Sequence, residues 1–188
     1  MFLFGHLGIG KTLLGPISKG LPNRYLLVGT ILPDLIDKPL YYGATFFSQN
    51  HGSVWSSISG SRTLGHTALF ILILSSLTWI KKSKRIAALF LGSAIHLLLD
   101  AVSDALLGRD FSESLQTVIL WPLLGTKFPD FPYSSLSEHL NIMDRPSLIL
   151  EELIGASLLI FNSRSMTTET TVAISITEVK NKPDQGTN

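Results

Sequence analysis

The stretch Leu89-Phe-Leu-Gly-Ser-Ala-Ile-His96-Leu-Leu-Leu-Asp100 decides the fold, because this apolar run carries a histidine and an aspartate four residues apart. That spacing predicts a helix with both side chains on one face. A second apolar run, Leu26 to Asp37, has Asp34 and Asp37 near its end. A carboxylate buried in hydrocarbon is costly unless it is paired or bound to a metal. The two runs therefore predict helices that bury ligand-type residues.

The composition indicates an unusually apolar chain. Its 188 residues, 45% hydrophobic and 15% charged, suit one domain of ordinary size. Typical soluble domains are about 25% charged, so the deficit favours contact with lipid or a very apolar bundle. A net charge of +1 gives no strong attraction to nucleic acid, which we do not expect as a partner. The lack of cysteine excludes disulfides and thiolate metal sites.

Helix-breaking glycines and prolines divide the chain into two antiparallel helical hairpins and a C-terminal helix. This division predicts an all-α bundle. A Gly/Ser-rich loop is expected over Tyr41 to Ser61, and an irregular segment over Trp121 to Tyr133. Pro39 is expected to end the second helix. The predicted helices are His6–Ile17, Asn23–Asp37, Leu64–Ile80, Ile86–Leu107 and Ser147–Phe161.

Residues 1–162 are predicted to form one helical, membrane-associated domain that carries a metal site. Residues 163–188 are polar and lack a period, so we expect a disordered tail. Loose alternation over Thr170 to Val179 leaves a short strand as an alternative there.

The apolar runs predict a multi-pass integral protein of the cell membrane, with the lipid bilayer as a partner. Each run is shorter than the roughly 20 residues that span a bilayer, and short runs are also typical of buried core helices or re-entrant segments. The basic turn Lys81–Arg85 between two runs is what the positive-inside rule expects of a cytoplasmic turn. A soluble, unusually apolar helical bundle is the alternative.

The register of the hairpins predicts a metal site. His66 and Asp100 each lie 17 residues from Ser83, so an antiparallel helix pair brings them to one height. His6 and Asp34 likewise each lie 14 residues from Gly20. Both pairs lie at the end of the bundle away from the basic turn. Imidazoles together with carboxylates suit Zn²⁺, Mn²⁺ or Fe²⁺. The candidate metal ligands are His6, Asp34, Asp37, His66, His96 and Asp100.

Each candidate also has a plainer interpretation. His96 and Asp100 can form a simple buried hydrogen bond, and Asp34 and Asp37 can be solvated residues of a turn. His66 can cap a helix, and Asp104 can orient a ligand imidazole. Glu151 and Glu152 can face the site or favour the first turn of the last helix. His51 and His139 lie in polar surroundings and are interpreted as bystanders.

A phosphate-loop pattern, G-x-x-x-x-G-K-T, also occurs at Gly5–Thr12. Such a loop follows a strand and opens a helix in an α/β sheet. Only four residues precede Gly5, and no alternation of strands and helices follows. The sequence therefore favours a chance match over a nucleotide-binding loop.

The ordered motifs resemble the family of membrane-bound, metal-dependent hydrolases that includes LexA-regulated inner-membrane proteins. The resemblance covers roughly residues 5 to 125 and implies a helical integral membrane protein with a divalent metal. The third motif of the family commonly has a histidine where this chain has Ser61. His51 is an alternative source of that histidine side chain. The motifs are Gly5-His6, Leu32-Pro33-Asp34-x-x-Asp37, Arg62-x-x-x-His66-Thr67, Gly92-x-x-x-His96-x-x-x-Asp100 and Trp121-Pro122.

These observations together predict a metal-dependent hydrolase of an ester or phosphoester, with Zn or Mn as the cofactor and a small-molecule or lipid substrate. The H-x-x-x-D element also looks like that of zinc-dependent phospholipases C, which suggests phosphoester chemistry by analogy. Asp37 is the expected general base, and Arg62 is expected to meet developing negative charge. The rivals are a transporter or ion pathway with the same residues, and a catalytically silent protein stabilised by metal.

Overall fold

A computed structural model of the chain describes residues 1–48, 61–106, 113–129, 141 and 145–162. This part of the chain is helical and contains no strand, which confirms the predicted all-α class for it. The helices are α1 (Leu3–Leu14), α2 (Asn23–Gly29), α3 (Leu32–Ser48), a 3-10 helix (Leu64–His66), α4 (Ala68–Lys81), α5 (Lys84–Leu106), α6 (Glu113–Ile119) and α7 (146–162).

Helix α5 is the centre of the bundle and packs against α1, α2, α3 and α4. It meets α2 at two glycines, where the two backbones touch. A Cβ atom on Gly92 would lie 2.5 Å from the carbonyl oxygen of Leu26, and one on Gly29 would lie 2.7 Å from that of Leu89. Leu26 also packs with the buried Ala88 of α5. The glycines therefore allow the two helices to approach more closely than any residue with a Cβ atom would permit.

Helix α7 completes the first turn of α1. The Glu152 carboxylate accepts hydrogen bonds from the backbone N–H groups of Phe2, Phe4 and Gly5, at 3.0, 2.8 and 2.9 Å. A helix cannot satisfy these N-terminal donors internally, and the phenyl side chain of the N-cap residue Phe2 has no oxygen to accept from them. Glu152 therefore acts on the first turn of α1 rather than on that of its own helix.

The predicted second helix, Asn23–Asp37, was wrong in its bounds. Helix α2 ends at Gly29 and α3 begins at Leu32, because Pro33 suits the first turn of a helix, where no N–H is needed. Pro39 lies inside α3, which continues to Ser48 over the start of the predicted loop. Proline removes one backbone hydrogen bond, but contacts with α5 and the 3-10 helix hold α3 together.

The other differences are smaller. The predicted helix Leu64–Ile80 is divided at Thr67, whose side chain caps α4 by accepting a hydrogen bond from the N–H of Phe70 at 3.0 Å. Helix α6 was not predicted, because its seven residues show no clear apolar period. Residues 163–188 with the alternative strand, the remainder of the two predicted loop segments, His51 and His139 lie outside the described residues.

Among the described helices, α5 alone is long and apolar enough to cross a bilayer, and α4 is apolar but shorter. Large apolar side chains are nevertheless exposed on several helices. On α4, for example, Leu72 is 62% exposed and Trp79 is 82% exposed. Patches of this kind are unusual on a soluble monomer and mark contact with lipid or with another protein.

Candidate metal centre

The polar face of α5 carries His96, Asp100 and Asp104 at intervals of four residues, and all three side chains are buried. The predicted level of His66 with Asp100 is confirmed, since His66 Nε2 lies 3.3 Å from Asp100 Oδ2. His6 was expected beside Asp34, but its ring stacks on that of His96, with centroids 3.9 Å apart. The hairpin count assumed one straight helix from Asn23 to Asp37, whereas α2 and α3 are separate helices, and this break changes the residues that His6 meets.

The imidazoles of His66 and His96 are held so that both Nε2 atoms point at the same place. The Nδ1 of His96 lies 2.8 Å from the carbonyl oxygen of Thr30, which only accepts, so this nitrogen carries the proton. The Nδ1 of His66 lies 2.8 Å from Asp37 Oδ2 and donates to it. In the neutral rings each Nε2 therefore presents a lone pair, and the two atoms are 3.2 Å apart. Two lone pairs at this distance require a proton or a cation between them.

Two carboxylate oxygens complete this arrangement. Asp34 Oδ1 lies 3.7 Å from His66 Nε2 and 3.9 Å from His96 Nε2. Asp100 Oδ2 lies 3.3 Å from His66 Nε2 and 3.6 Å from His96 Nε2. Nitrogen and oxygen ligands about 2.1 Å from one ion lie about 3.0–3.5 Å from one another. The donors are therefore close to the spacing that a divalent metal needs.

His6 is a fully buried imidazole, and neither of its ring nitrogens makes a hydrogen bond with another described residue. Its Nε2 lies 3.2 Å from Asp100 Oδ1, but no hydrogen bond joins the two. Buried polar groups are almost always satisfied, so an imidazole that meets only the Asp100 carboxylate is suited to sharing a cation with it. His6, His96 and Asp100 form one group able to hold a metal, and Asp34, His66 and His96 form another. Because His96 has a single free nitrogen, it can serve only one ion at a time.

Asp37 lies behind His66 rather than in either group. Its oxygens accept hydrogen bonds from the backbone N–H groups of Thr63, at 2.7 Å, and Gly65, at 2.9 Å, as well as from His66. A carboxylate that holds the second nitrogen of a ligand histidine fixes the orientation of the ring. These contacts favour a positioning role for Asp37 over the predicted roles of ligand and general base.

Arg62 is buried between two carboxylates of α5, not solvated as a loop arginine usually is. Its Nη2 lies 2.8 Å from Asp100 Oδ2, and its Nη1 donates to Asp104. Burial opposes its charge, but Asp100 and Asp104 outweigh burial and raise the pKa of Arg62. Asp104 thus pairs with Arg62 instead of orienting an imidazole.

The electrostatics of the centre favour a cation. Burial alone would raise the pKa of Asp34, but the charge of Lys38 and the neighbouring His96 and His66 lower it to about 2. Burial also opposes a charge on His66, yet hydrogen bonds to Asp100 and Asp37 raise its pKa above the ordinary value. An ionised Asp34 and a proton-attracting His66 are typical of a site that a divalent metal would occupy in place of the proton.

A narrow cleft leads to the centre between α5 and α6. Its walls are apolar, from Leu97 and Ala101 of α5 and Val118 and Ile119 of α6, and it reaches Arg62, His66 and Asp100. The wall from α6 could not be predicted, since that helix was missed in the sequence.

Sequence reasoning also missed the groups that hold the imidazoles and Asp34. The carbonyl of Thr30 and the N–H groups of Thr63 and Gly65 are backbone atoms and leave no signal in a sequence. Lys38 did leave a signal in the sequence, because it lies four residues after Asp34 and pairs with its carboxylate. Glu151, one of two glutamates left open, accepts a hydrogen bond from Ser103 at 2.8 Å.

Scans of this chain against models of protein families, curated proteins and solved structures found no match.

Proposed function

We propose that the protein is a membrane-bound, metal-dependent hydrolase that acts on an ester or phosphoester. The observation that carries the metal is the pair of Nε2 atoms of His66 and His96, which face each other at 3.2 Å while acceptors hold both Nδ1 atoms. The family resemblance of the ordered motifs supports hydrolysis as the chemistry. Zn²⁺ or Mn²⁺ suits this set of imidazole and carboxylate ligands.

The residues divide the work as follows. His66, His96, Asp34 and Asp100 would hold the metal, with His6 as a further ligand, and the bound metal would supply Lewis acidity and a more acidic water. Asp37 and the Thr30 carbonyl fix the two rings. The Asp34 side chain is 17% exposed and that of Asp37 is fully buried, so water reaches Asp34 more readily than Asp37. Arg62 brings positive charge to the inner end of the cleft.

The exposed apolar side chains support a membrane location and, with it, a lipid-derived substrate. The cleft holds only about 20 Å³, which is room for one water molecule, so it supports access of water to the centre and not of an acyl chain. We place α4 and α5 in the bilayer, with the basic turn Lys81–Arg85 on the cytoplasmic side. The metal centre then lies toward the outer interface, and the multi-pass arrangement of the remaining, shorter helices is part of the same proposal.

Metal analysis of the detergent-purified full chain tests the proposal, with Asp100→Asn beside Asp104→Asn. Both substitutions remove a buried carboxylate of α5 that pairs with Arg62, but Asp100 alone lies beside the imidazoles. We expect stoichiometric Zn or Mn in the wild type and D104N, and its loss in D100N. Equal metal content in all three proteins would overturn the ligation. Turnover of phosphodiesters and phospholipids, abolished by a chelator and restored by Zn²⁺ or Mn²⁺, would support the hydrolase.

The burial of the centre favours one second candidate, a catalytically silent protein that metal stabilises. His6 and His96 are fully buried, as ligands of a structural metal often are. This candidate predicts tight metal and a large fall in the unfolding temperature on chelation, without turnover of any ester. The same preparation therefore separates the two functions.

A further inference from the structure

The end of the bundle away from the metal centre carries unpaired positive charge. Residues 1–33 and 61–99 contain no aspartate or glutamate. At this end none of the cations pairs with a carboxylate of the described residues. The guanidinium carbons of Arg24 and Arg85 lie 5.0 and 5.7 Å from the ring centroid of Tyr25, which brings the two hairpin turns together. The cations are Lys11, Lys19, Arg24, Lys81, Lys82, Lys84 and Arg85.

A cavity of about 600 Å³ opens at this basic end, between the end of α1, the start of α2 and the end of α7. Lys11 and Lys19 line it, together with the polar side chains of Thr12, Asn23 and Asn162. The Asn162 amide donates to Thr12 Oγ1 at 3.1 Å, which joins α7 to α1 at the wall. Two ammonium groups and neutral donors, with no carboxylate among the described lining residues, are suited to an anion with several oxygens.

Lys11 and Thr12 are the last two residues of the phosphate-loop pattern found in the sequence. Both lie on helix α1, so the pattern forms no loop and its backbone N–H groups cannot cradle a phosphate. Any anion in the cavity is instead bound by side chains from separate elements.

Exposed apolar side chains surround the same end. Ile17 is 66% exposed, Trp79 82%, Ile80 70% and Phe161 70%. Tryptophan and lysine side by side are typical of the membrane–water interface, where the ring lies at headgroup level. Ile17 and Phe161 directly precede the lining residues Ser18 and Asn162, so apolar side chains lie next to the cavity and favour a lipid headgroup over a free ion as its ligand.

We propose that this cavity binds the phosphate of an anionic phospholipid headgroup, with Lys11 and Lys19 as its charged ligands. The lipid would lie in the leaflet at the basic end, and its chains would cover the exposed apolar side chains beside the cavity. The site is separate from the metal centre and does not depend on hydrolase activity.

Native mass spectrometry of the detergent-purified full chain tests this inference, with phosphatidylglycerol, phosphatidylcholine and inorganic phosphate as probes. Lys11→Gln with Lys19→Gln removes the charge of the cavity. Lys81→Gln with Lys84→Gln removes the same charge from exposed positions of the basic end, outside the cavity lining. Lys11→Arg with Lys19→Arg keeps the charge and controls for folding.

We expect one phosphatidylglycerol to bind at least about tenfold more tightly than phosphatidylcholine, because each lysine near an anionic headgroup contributes roughly a fivefold factor. K11Q/K19Q should lose that preference, K81Q/K84Q should keep most of it, and K11R/K19R should retain it. Equal losses in the two glutamine variants would overturn the cavity as a site. Equal affinity for both lipids, or displacement of the lipid by inorganic phosphate at similar concentration, would overturn the lipid headgroup as its ligand.

Discussion

The two ends of α5 carry charge in opposite ways. At one end Asp100 and Asp104 are buried, and both pair with Arg62. At the other end Lys84 and Arg85 are exposed, and neither pairs with a carboxylate of the described residues. One helix therefore joins a closed ionic cluster to an open basic surface.

The difference shows where each end must find its partner. A buried charge is costly without a counter-charge inside the protein, and in the buried cluster Arg62 supplies it. The imidazole lone pairs of the same cluster still face each other. An exposed charge is solvated and costs little when it is unpaired. The buried end therefore points to a cation held inside the fold, and the basic end to an anion from outside it.

Arg62→Met is expected to have the largest effect on stability. It removes the guanidinium that lies between the buried Asp100 and Asp104, and breaking a buried pair from one side costs about 3–5 kcal/mol. The free energy of unfolding of the detergent-purified chain is the measurement. Lys84→Met, at the exposed end of the same helix, should change it by less than about 0.5 kcal/mol. Similar losses in the two variants would contradict the contrast between the ends.

Gly92→Ala tests the helix between the two ends. A methyl group there would lie 2.5 Å from the carbonyl oxygen of Leu26, in backbone that cannot move aside without separating α2 from α5. We expect a loss of about 2–3 kcal/mol, in the range for overpacking a core. Gly43→Ala is the control, because a Cβ on Gly43 meets nothing within 4 Å, and it should be neutral or slightly stabilising. A stable G92A protein would show that the α2–α5 contact is looser than described.

The sequence predicted the helical class and most of the residues that meet at the centre. Spacing of four on α5 and the symmetric position of His66 and Asp100 about Ser83 depend only on helix geometry, which local sequence specifies. Where the prediction depended on a helix boundary it was wrong, as for Asn23–Asp37, because Pro33 starts a helix and Pro39 is tolerated inside it. The position of His6 changed with that boundary.

The difference between Asp34 and Asp37 could not be predicted. Both belong to one helix and lie three residues apart, so their spacing assigns them to the same face. Backbone N–H groups of Thr63 and Gly65 engage Asp37, whereas Asp34 faces the imidazoles and pairs with Lys38. The contacts come from a segment distant in sequence, and backbone donors carry no residue signature.

Asp37→Asn sharpens the contrast inside the buried end. The amide keeps the size of the side chain but replaces an acceptor oxygen with a donor, so it no longer holds His66 Nδ1 and both backbone N–H groups. We expect metal affinity to fall by about 10–100-fold, as for other groups that orient a ligand histidine. Competition with a chromophoric chelator measures the affinity. Complete loss of metal, equal to that in D100N, would instead make Asp37 a ligand, as the sequence predicted.

Glu152→Gln is expected to have the smallest effect, and it tests how the buried end is closed by α7. Glutamine has one acceptor oxygen for the three N–H groups of Phe2, Phe4 and Gly5, and it lacks the charge that favours the start of a helix. The free energy of unfolding should fall by about 1 kcal/mol, in the range for loss of a helix cap. Metal affinity should change little, because Glu152 contacts the backbone of α1 and not the imidazole of His6. A large loss of metal in E152Q would show that the first turn of α1 sets the position of His6, so that the cluster depends on α7 as much as on α5.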